Sequence, residues 1–243
     1  MFQRNSTRVL LTLAALALLT GAAASEAQAR TLVFSGLDWE VKSGSGRGPG
    51  PNLWSDGEEN VWVDAEGSLH LRITYRSGEW RCAEVHTRQT TGYGLHRFYV
   101  EGRPDLLDKN VVFSPFIYMS DTEEMDIEFS RWGEENPGFN AQMAVQPARP
   151  ENLKRFSLRL PGGVSTQEID WRPESIRFRI FADAGEDPSG RRAAAEEWTY
   201  WGGDNPAENS ARVHINLWLY KGAPPSDGRE SEIVVRAVDL PAF

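Results

Sequence analysis

The chain has 243 residues, a formal net charge of −9 and one cysteine, Cys82. The net negative charge argues against nucleic acid as a partner, and a single cysteine excludes an intrachain disulfide. Stability must therefore come from an apolar core, which a chain of this length can supply, and we expect Cys82 to be a buried thiol.

The first 29 residues have the pattern of a secretory signal peptide. Arg4 and Arg8 precede an apolar run over residues 9–19, and Ala27-Gln28-Ala29 has the form of a cleavage site. The apolar run is short for a membrane span. We therefore expect a secreted or periplasmic protein with no membrane span in its mature chain. We also expect a monomer with one domain over residues 30–243.

Short alternating segments predict β-strands along the rest of the chain. They are separated by Gly, Pro, Asn and Asp residues, which favour turns. Many short strands with intervening turns predict an all-β sandwich or barrel. The main predicted strands cover residues 67–73, 80–88, 111–119, 124–129, 156–160, 176–180, 212–220 and 233–240.

Two of these strands carry a polar and aromatic face that suits sugar binding. In strand 80–88 that face would hold Trp80, Cys82, Glu84, His86 and Arg88. In strand 212–220 it would hold His214, Asn216, Trp218 and Tyr220. Aromatic rings stack on pyranose rings, and polar groups between them bind hydroxyls. We therefore expect Trp218 to be a stacking platform in a concave cleft.

The segment Glu124-Met125-Asp126-Ile127-Glu128-Phe129 alternates acidic and apolar side chains. In a strand, Met125, Ile127 and Phe129 would enter the core and the three acids would share the other face. Adjacent carboxylates repel one another and stabilise a sheet poorly. Hydrolysis of a glycosidic bond, however, requires two carboxyl groups in different protonation states. The pattern therefore predicts a glycosidase active site.

Together with three further motifs, this strand resembles glycoside hydrolase family 16, which includes lichenases and laminarinases. The other motifs are Ala83-Glu84-Val85-His86-Thr87-Arg88 before Gly92-Tyr93-Gly94, Ile169-Asp170-Trp171-Arg172-Pro173, and Ile215-Asn216-Leu217-Trp218. They occur in the family's order over about residues 31–240. The resemblance implies an all-β jelly-roll sandwich of two antiparallel sheets with a concave substrate cleft.

The resemblance also implies roles for individual residues. Glu124 matches the nucleophile and Glu128 the general acid/base, with Asp126 between them to hold the nucleophile in line. Glu84 matches a glutamate that contacts sugar hydroxyls, and His86 stands where lichenases usually have arginine. Four further residues are expected to contact substrate. They are Asn52 from the N-terminal loop, Trp132 just after strand 124–129, and Asn216 and Trp218 of strand 212–220.

The implied function is retaining endo-hydrolysis of a polysaccharide, with a β-1,3- or β-1,3-1,4-glucan as the expected substrate. The chemistry requires no metal or cofactor, although a structural calcium ion remains open. One departure matters: Thr122 occupies the position where lichenase-type enzymes carry a tryptophan. Because of this departure, the hypothesis that the chain is a non-catalytic carbohydrate-binding protein stays open. A transglycosylase that remodels an envelope glycan with the same glutamates also remains open.

Overall fold

The computed structural model describes residues 29–183 and 192–241. Residues 1–28, which hold nearly all of the predicted signal peptide, lie outside the described residues. Within the described ranges, no helix is long and apolar enough to cross a membrane. These ranges contain three short 3-10 helices, at Pro104–Leu106, Pro150–Asn152 and Tyr220–Gly222.

The strands, numbered in chain order, account for about half of the described residues. They are β1 (Thr31–Phe34), β2 (Leu37–Val41), β3 (Gly44–Arg47), β4 (Asn52–Trp54), β5 (Val61–Val63), β6 (Leu69–Arg76), β7 (Glu79–Arg81), β8 (Ala83–Thr87), β9 (Gly94–Glu101), β10 (Val111–Ser120), β11 (Glu123–Phe129), β12 (Ala141–Val145), β13 (Leu153–Phe156), β14 (Val164–Trp171), β15 (Ile176–Phe181), β16 (Glu196–Tyr200), β17 (Arg212–Leu219) and β18 (Ser231–Asp239).

Two antiparallel eight-stranded sheets form the fold. The front sheet has the order β1-β2-β8-β17-β10-β11-β12-β13. The back sheet has the order β16-β15-β14-β9-β18-β6-β5, with β7 paired to β6. Strands β3 and β4 form a separate hairpin. The predicted jelly-roll sandwich is confirmed.

A single apolar core fills the space between the sheets, as the alternating pattern predicts. The apolar residues of β11, which are Met125, Ile127 and Phe129, are fully buried there. Leu69, Leu71 and Ile73 of β6, in the back sheet, belong to the same core and are equally buried. Because β11 turns its apolar residues inward, its acidic residues lie on the opposite face of the front sheet.

The predicted strand over 80–88 is wrong in one respect, because the chain changes sheets at Cys82. Strand β7 belongs with the back sheet and β8 with the front sheet. Between them, Cys82 exchanges backbone hydrogen bonds with Leu53 and Ser55 of the neighbouring segment. Trp80 packs on Tyr75, with ring centroids 5.1 Å apart, away from the β8 surface. Trp80 and Cys82 therefore lie off the predicted face, whereas Glu84 and His86 keep the predicted placement in the cleft.

Cys82 is a buried thiol, as predicted. Its side chain is fully buried, and burial raises the pKa of the thiol to about 12. Its Sγ lies 3.5 Å from the Oδ1 atom of Asn52, to which it donates a weak hydrogen bond. Cys82 therefore stays protonated and packs as a small apolar side chain.

The predicted strand over 156–160 ends early, at Phe156. Beyond that residue, side chains replace the backbone partners that a neighbouring strand would supply. Asn140 bonds both backbone groups of Leu158, at 2.9 Å to its carbonyl and 2.8 Å from its N–H. Asp105 accepts a hydrogen bond of 3.1 Å from the N–H of Leu160. Leu158 and Leu160 are still buried, because the alternation continues without the strand.

Candidate active site

The outer face of the front sheet forms a cleft of about 550 Å³. Side chains from β8, β17, β10 and β11 line it, and the segment before β4 closes one side. Because neighbouring strands are antiparallel and in register, the lining residues form rows across the sheet. Each of the three acids of β11 lies in a different row.

Glu124 lies in the first row. Its backbone is directly opposite Tyr118 of β10, which in turn pairs with Arg212 of β17. Burial raises the pKa of Glu124 to about 8, and the negative charge of Glu128 is the next largest contribution. A carboxyl group in this position changes charge close to neutral pH.

Asp126 lies in the second row and is 1% exposed. Its Oδ2 atom accepts a hydrogen bond of 3.0 Å from Nε2 of Gln146. Its Oδ1 atom has no hydrogen-bond partner among the described residues. Burial raises the pKa of Asp126 well above its ordinary value, and the charges of Glu128 and Glu124 raise it further. Burial therefore disfavours the ionised form of Asp126.

Glu128 lies in the third row, opposite Gln142 of β12. The side-chain N–H of Gln142 donates to Oε2 of Glu128. Burial raises the pKa of Glu128 to about 7, while this hydrogen bond and the positive charge of Arg155 oppose the increase. The pKa of Glu128 therefore lies where a group can both give and take a proton in one reaction cycle.

Glu124 and Glu128 together form a coupled pair of titrating groups. Their pKa values of about 8 and about 7 lie close together, and the charge of Glu128 raises the pKa of both Glu124 and Asp126. Such a pair shares one proton over a window near neutral pH. A sugar oxygen placed against Glu128 would favour the state in which Glu128 is protonated and Glu124 ionised.

Glu84 faces the acid strand across the cleft and behaves differently. It is 3% exposed, and its carboxylate contacts Nζ of Lys42 at 2.8 Å and Nδ1 of His214 at 3.2 Å. Burial opposes ionisation of Glu84. The hydrogen bond from His214 and the charge of Lys42 outweigh burial and hold its pKa below the ordinary value. Glu84 is therefore a fixed negative charge and hydrogen-bond acceptor.

His86 stacks on His214, with ring centroids 4.9 Å apart. Burial lowers the pKa of His86 to about 4, and the neighbouring charge of His214 lowers it further. His86 is therefore neutral at the pH where an arginine in its place would be charged. Its place in the cleft agrees with the prediction, and its chemistry there is that of a polar aromatic ring.

Asn216 and Trp218 lie in the cleft on β17, as predicted. Asn216 pairs with Glu84 on one side and with Ser114 on the other. Its buried Oδ1 atom has no hydrogen-bond partner among the described residues, so a sugar hydroxyl could donate to it. Trp218 is 8% exposed and forms part of the cleft lining.

Two aromatic lining residues of β10 were missed by the sequence analysis. Phe116 and Tyr118 surround His214, with ring centroids 4.8 Å and 5.4 Å from it. They belong to a run that reads as uniformly apolar over residues 111–119. The signal that could have identified them is the alternation of Ser114, Phe116 and Tyr118 against the inward residues of the same strand.

Two predicted substrate contacts lie outside the cleft lining. Asn52 is 4% exposed, and its Nδ2 atom donates to the carbonyls of Pro49 at 2.9 Å and Leu219 at 3.0 Å. It fixes the segment before β4 against β17. Trp132 follows β11 and packs on Phe139, with ring centroids 5.6 Å apart. Both residues thus have structural contacts, and their contacts with sugar stay predictions.

Thr122 is exposed in the turn between β10 and β11. Its hydroxyl lies 3.4 Å from that of Ser120, within the turn itself. No aromatic ring from this position covers Glu124, so the rings near the acids come from β10 and β17. Within the described ranges there is also no group of three or more His, Cys, Asp or Glu side chains arranged to hold a metal ion.

Comparison with known proteins shows the fold clearly and the sequence relation only weakly. No protein-family model matches the sequence, and no curated protein sequence does. The structure is similar to a Bacillus licheniformis β-glucanase with a TM-score of 0.63, at 20% identity over 87% of this chain and 95% of that one.

Two further structures share this likeness. A laminarinase from Flavobacterium sp. UMI-01 matches with a TM-score of 0.61, at 14% identity over 83% of this chain and 92% of that one. A Mycobacterium tuberculosis protein described as an immunostimulatory antigen and pseudo β-1,3-glucanase matches with a TM-score of 0.62. Its identity is 18% over 84% of this chain and 91% of that one. The chain therefore has the β-glucanase fold that the sequence motifs predict.

Proposed function

We propose that this chain is a secreted retaining endo-glycosidase that hydrolyses a β-1,3- or β-1,3-1,4-glucan. The observation that carries the proposal is the pair Glu124 and Glu128 on one strand, both with a pKa near neutral, in a cleft lined by aromatic rings. The likeness to glucanases and a laminarinase supports the choice of polymer. The signal-peptide pattern of residues 1–29 supports export to the periplasm or beyond.

In the first step, the ionised carboxylate of Glu124 attacks the anomeric carbon of the sugar. The bond from that carbon to the glycosidic oxygen breaks, and Glu128 gives its proton to the departing oxygen. The product is a glycosyl ester on Glu124, and Glu128 is left ionised. Asp126 is buried between the two, where a hydrogen bond to the nucleophile would hold it in line.

In the second step, Glu128 takes a proton from a water molecule, which attacks the same anomeric carbon. The ester bond to Glu124 breaks, and both glutamates return to their starting state. Two displacements at one carbon leave the anomeric configuration unchanged. If a sugar hydroxyl takes the place of water, the same step builds a longer chain, which is the transglycosylase alternative.

Substrate binding in this proposal uses the residues around the two acids. Trp218, Phe116 and Tyr118 offer aromatic surface to the sugar rings. Glu84 accepts hydrogen bonds from hydroxyls, and Asn216 offers its unpaired amide oxygen. The partner is a polysaccharide chain bound by a monomer. Neither step requires a metal or a cofactor, and a structural calcium ion away from the cleft remains compatible with the proposal.

The experiment that tests the proposal measures the reducing ends released from mixed-linkage β-glucan, laminarin and xyloglucan. We expect the mature protein to act on one of the first two polymers. Glu124→Gln and Glu128→Gln should abolish the release, whereas the exposed control Glu174→Gln should not change it. Proton NMR of the first product formed should show the β-anomer. Full activity of Glu124→Gln, or an initial α-anomer, would contradict the proposal.

A non-catalytic carbohydrate-binding protein is the second candidate. It is favoured by the exposed Thr122 in the turn next to Glu124, where lichenase-type enzymes have a tryptophan. One structure with the same fold is also described as a pseudo β-1,3-glucanase. Binding of a glucan without any product after prolonged incubation would support this candidate. Formation of longer oligosaccharides when an acceptor is added would instead support transglycosylation.

A further inference from the structure

Three side chains form a hydrogen-bonded relay from the edge of the front sheet to the acid strand. Glu128 of β11, Gln142 of β12 and Arg155 of β13 are directly opposite one another in register. The Nε atom of Arg155 donates to Oε1 of Gln142 at 3.1 Å. The Nε2 atom of Gln142 donates in turn to Oε2 of Glu128.

The chemistry of arginine fixes the direction of this relay. A guanidinium group has only donors, so the amide oxygen of Gln142 must face Arg155. The amide NH₂ of Gln142 must then face Glu128, and the Oε2 atom of Glu128 must accept. A proton placed on Oε2 would point at the hydrogens of the amide. The carboxyl proton of Glu128 is therefore directed to its other oxygen, Oε1.

Arg155 is itself held in place by two aromatic rings. Its guanidinium lies over the rings of Trp132 and Phe139, 5.0 Å from each centroid. Gln142 is 5% exposed, which limits its freedom to rotate. This arrangement also gives Trp132 a function outside the cleft, because its ring supports the guanidinium that orients Gln142.

We propose that Arg155 is a positioning residue that acts through Gln142 to direct the proton of Glu128 to Oε1, the oxygen left free for the glycosidic oxygen. The inference rests on the proposed function, in which Glu128 is the general acid/base. Arg155 touches neither substrate nor reacting atoms, since Gln142 lies between it and Glu128.

The charged groups around Glu128 determine what removing Arg155 would do. Glu124 and Asp126 lie on its own strand, and Glu84 lies across the cleft on β8. Its partner on β12, Gln142, is neutral, and Ser114 lines the cleft from β10. Arg155, on the strand beyond β12, therefore places a positive charge near several carboxyl groups and favours the ionised form of Glu128. Its loss should favour the protonated form of Glu128.

The test compares Arg155→Met with Arg155→Lys and with the control Arg177→Met, an arginine of the back sheet that pairs with Glu197. In Arg155→Met, we expect the alkaline limb of the pH–activity profile to move up by about half a pH unit. The acid form of Glu128 is lost as pH rises through its pKa, so a higher pKa extends activity to higher pH. Arg155→Lys keeps the positive charge, so its pH–activity profile should stay close to that of the wild type.

The size of the rate effect should depend on the leaving group. With polysaccharide, Arg155→Met should lower kcat about tenfold, because the proton is no longer directed to the reacting oxygen. With an aryl glucoside whose phenol leaves without protonation, formation of the glycosyl-enzyme should be nearly unchanged. Equal losses on both substrates would indicate general damage to the cleft and would overturn the inference.

A readout independent of turnover separates this inference from the proposed function. Carbon-13 NMR titration of the Glu128 carboxyl should show a higher pKa in Arg155→Met than in the wild type, and no change in Arg177→Met. If the wild type cleaves no polysaccharide, the proposed function fails while this titration still reports whether Arg155 acts on Glu128. An unchanged titration in a folded Arg155→Met variant would overturn the relay.

Discussion

Glu84 is buried, and Glu124 and Glu128 are half-buried, on two sides of one cleft, yet these carboxyl groups ionise in opposite ways. Glu84 is paired with Lys42 and His214, and its pKa is lowered. Burial raises the pKa of Glu124 to about 8 and that of Glu128 to about 7, and the charge of Glu128 adds to the rise at Glu124. Burial acts on all three, so the partners decide the outcome. A paired acid is suited to binding, and an unpaired acid near neutral pKa is suited to proton transfer.

The largest effect that tests this comparison is on turnover. Glu124→Gln should lower kcat by about 10³-fold or more, because glutamine cannot form the glycosyl ester. Glu84→Gln should mainly raise KM, by about tenfold or more, because it removes a hydrogen-bond acceptor for sugar hydroxyls. Measuring kcat and KM separately for both variants checks this. A loss of kcat in Glu84→Gln as large as in Glu124→Gln, at constant KM, would remove the distinction.

The next effect is on the pH dependence of kcat/KM. The reaction needs one proton on the pair, so activity should fall below pH about 7, where both glutamates become protonated. It should also fall above pH about 8, where both become ionised and no acid remains. The expected profile is a narrow bell, with slopes approaching tenfold per pH unit. Constant activity between pH 4 and 6 would contradict the raised pKa values.

A smaller effect is expected when Glu84 loses its cation. Lys42→Met leaves the hydrogen bond from His214 but removes the closest positive charge, so the pKa of Glu84 should rise. We expect KM to increase about threefold to tenfold. Lys109→Met is the matched control, because Lys109 pairs with the exposed Glu135 on the surface. An equal change in both variants would show that the ion pair with Glu84 has no special function.

The smallest effects are on stability, where Asp126→Asn should stabilise the protein and Glu84→Gln should destabilise it. The pKa of Asp126 is raised in the fold, so its burial costs stability above its unfolded pKa. Asp126→Asn should therefore stabilise the protein at pH 8 and change little at pH 3. Thermal unfolding at the two pH values measures this difference. A lower Tm at pH 8 would contradict it.

Glu84 provides the opposite case in the same assay. Its pKa is lowered in the fold, so its stabilising contribution is present above its unfolded pKa and is lost as pH falls through the folded value. Glu84→Gln should therefore destabilise the protein at pH 8, by about 1–3 kcal/mol, since it leaves Lys42 partly buried and unpaired. A Tm that rises in both variants would show that burial alone governs these carboxyl groups.

Much of the fold and the acid strand could be predicted because the signal is local. The alternation in β11 places Met125, Ile127 and Phe129 in the core and thereby places the acids on the other face. The same local rule places Asn216 and Trp218 in the cleft. It fails at Cys82, where the chain passes from one sheet to the other, because alternation carries no information on which sheet a strand joins.

The remainder depends on contacts between distant segments. Lys42 reaches Glu84 from the end of another strand, and Arg155 reaches Glu128 only because β12 and β13 extend the sheet in register. No spacing in the sequence predicts the contact between Lys42 and Glu84 or the link from Arg155 to Glu128. Trp132 illustrates the limit: it lies close in sequence to the acids, but the chain turns there with a φ of 46° and its ring supports Arg155.

Trapping of the glycosyl-enzyme shows directly whether Glu124 is the nucleophile. The mature protein would be incubated with a 2-deoxy-2-fluoro β-glucan oligosaccharide that carries a good leaving group, and the digested protein would be examined by mass spectrometry. We expect one added glycosyl group on the peptide that contains Glu124, and none in Glu124→Gln. Attachment to another residue, or hydrolysis of the natural polymer without any trapped ester, would contradict the account.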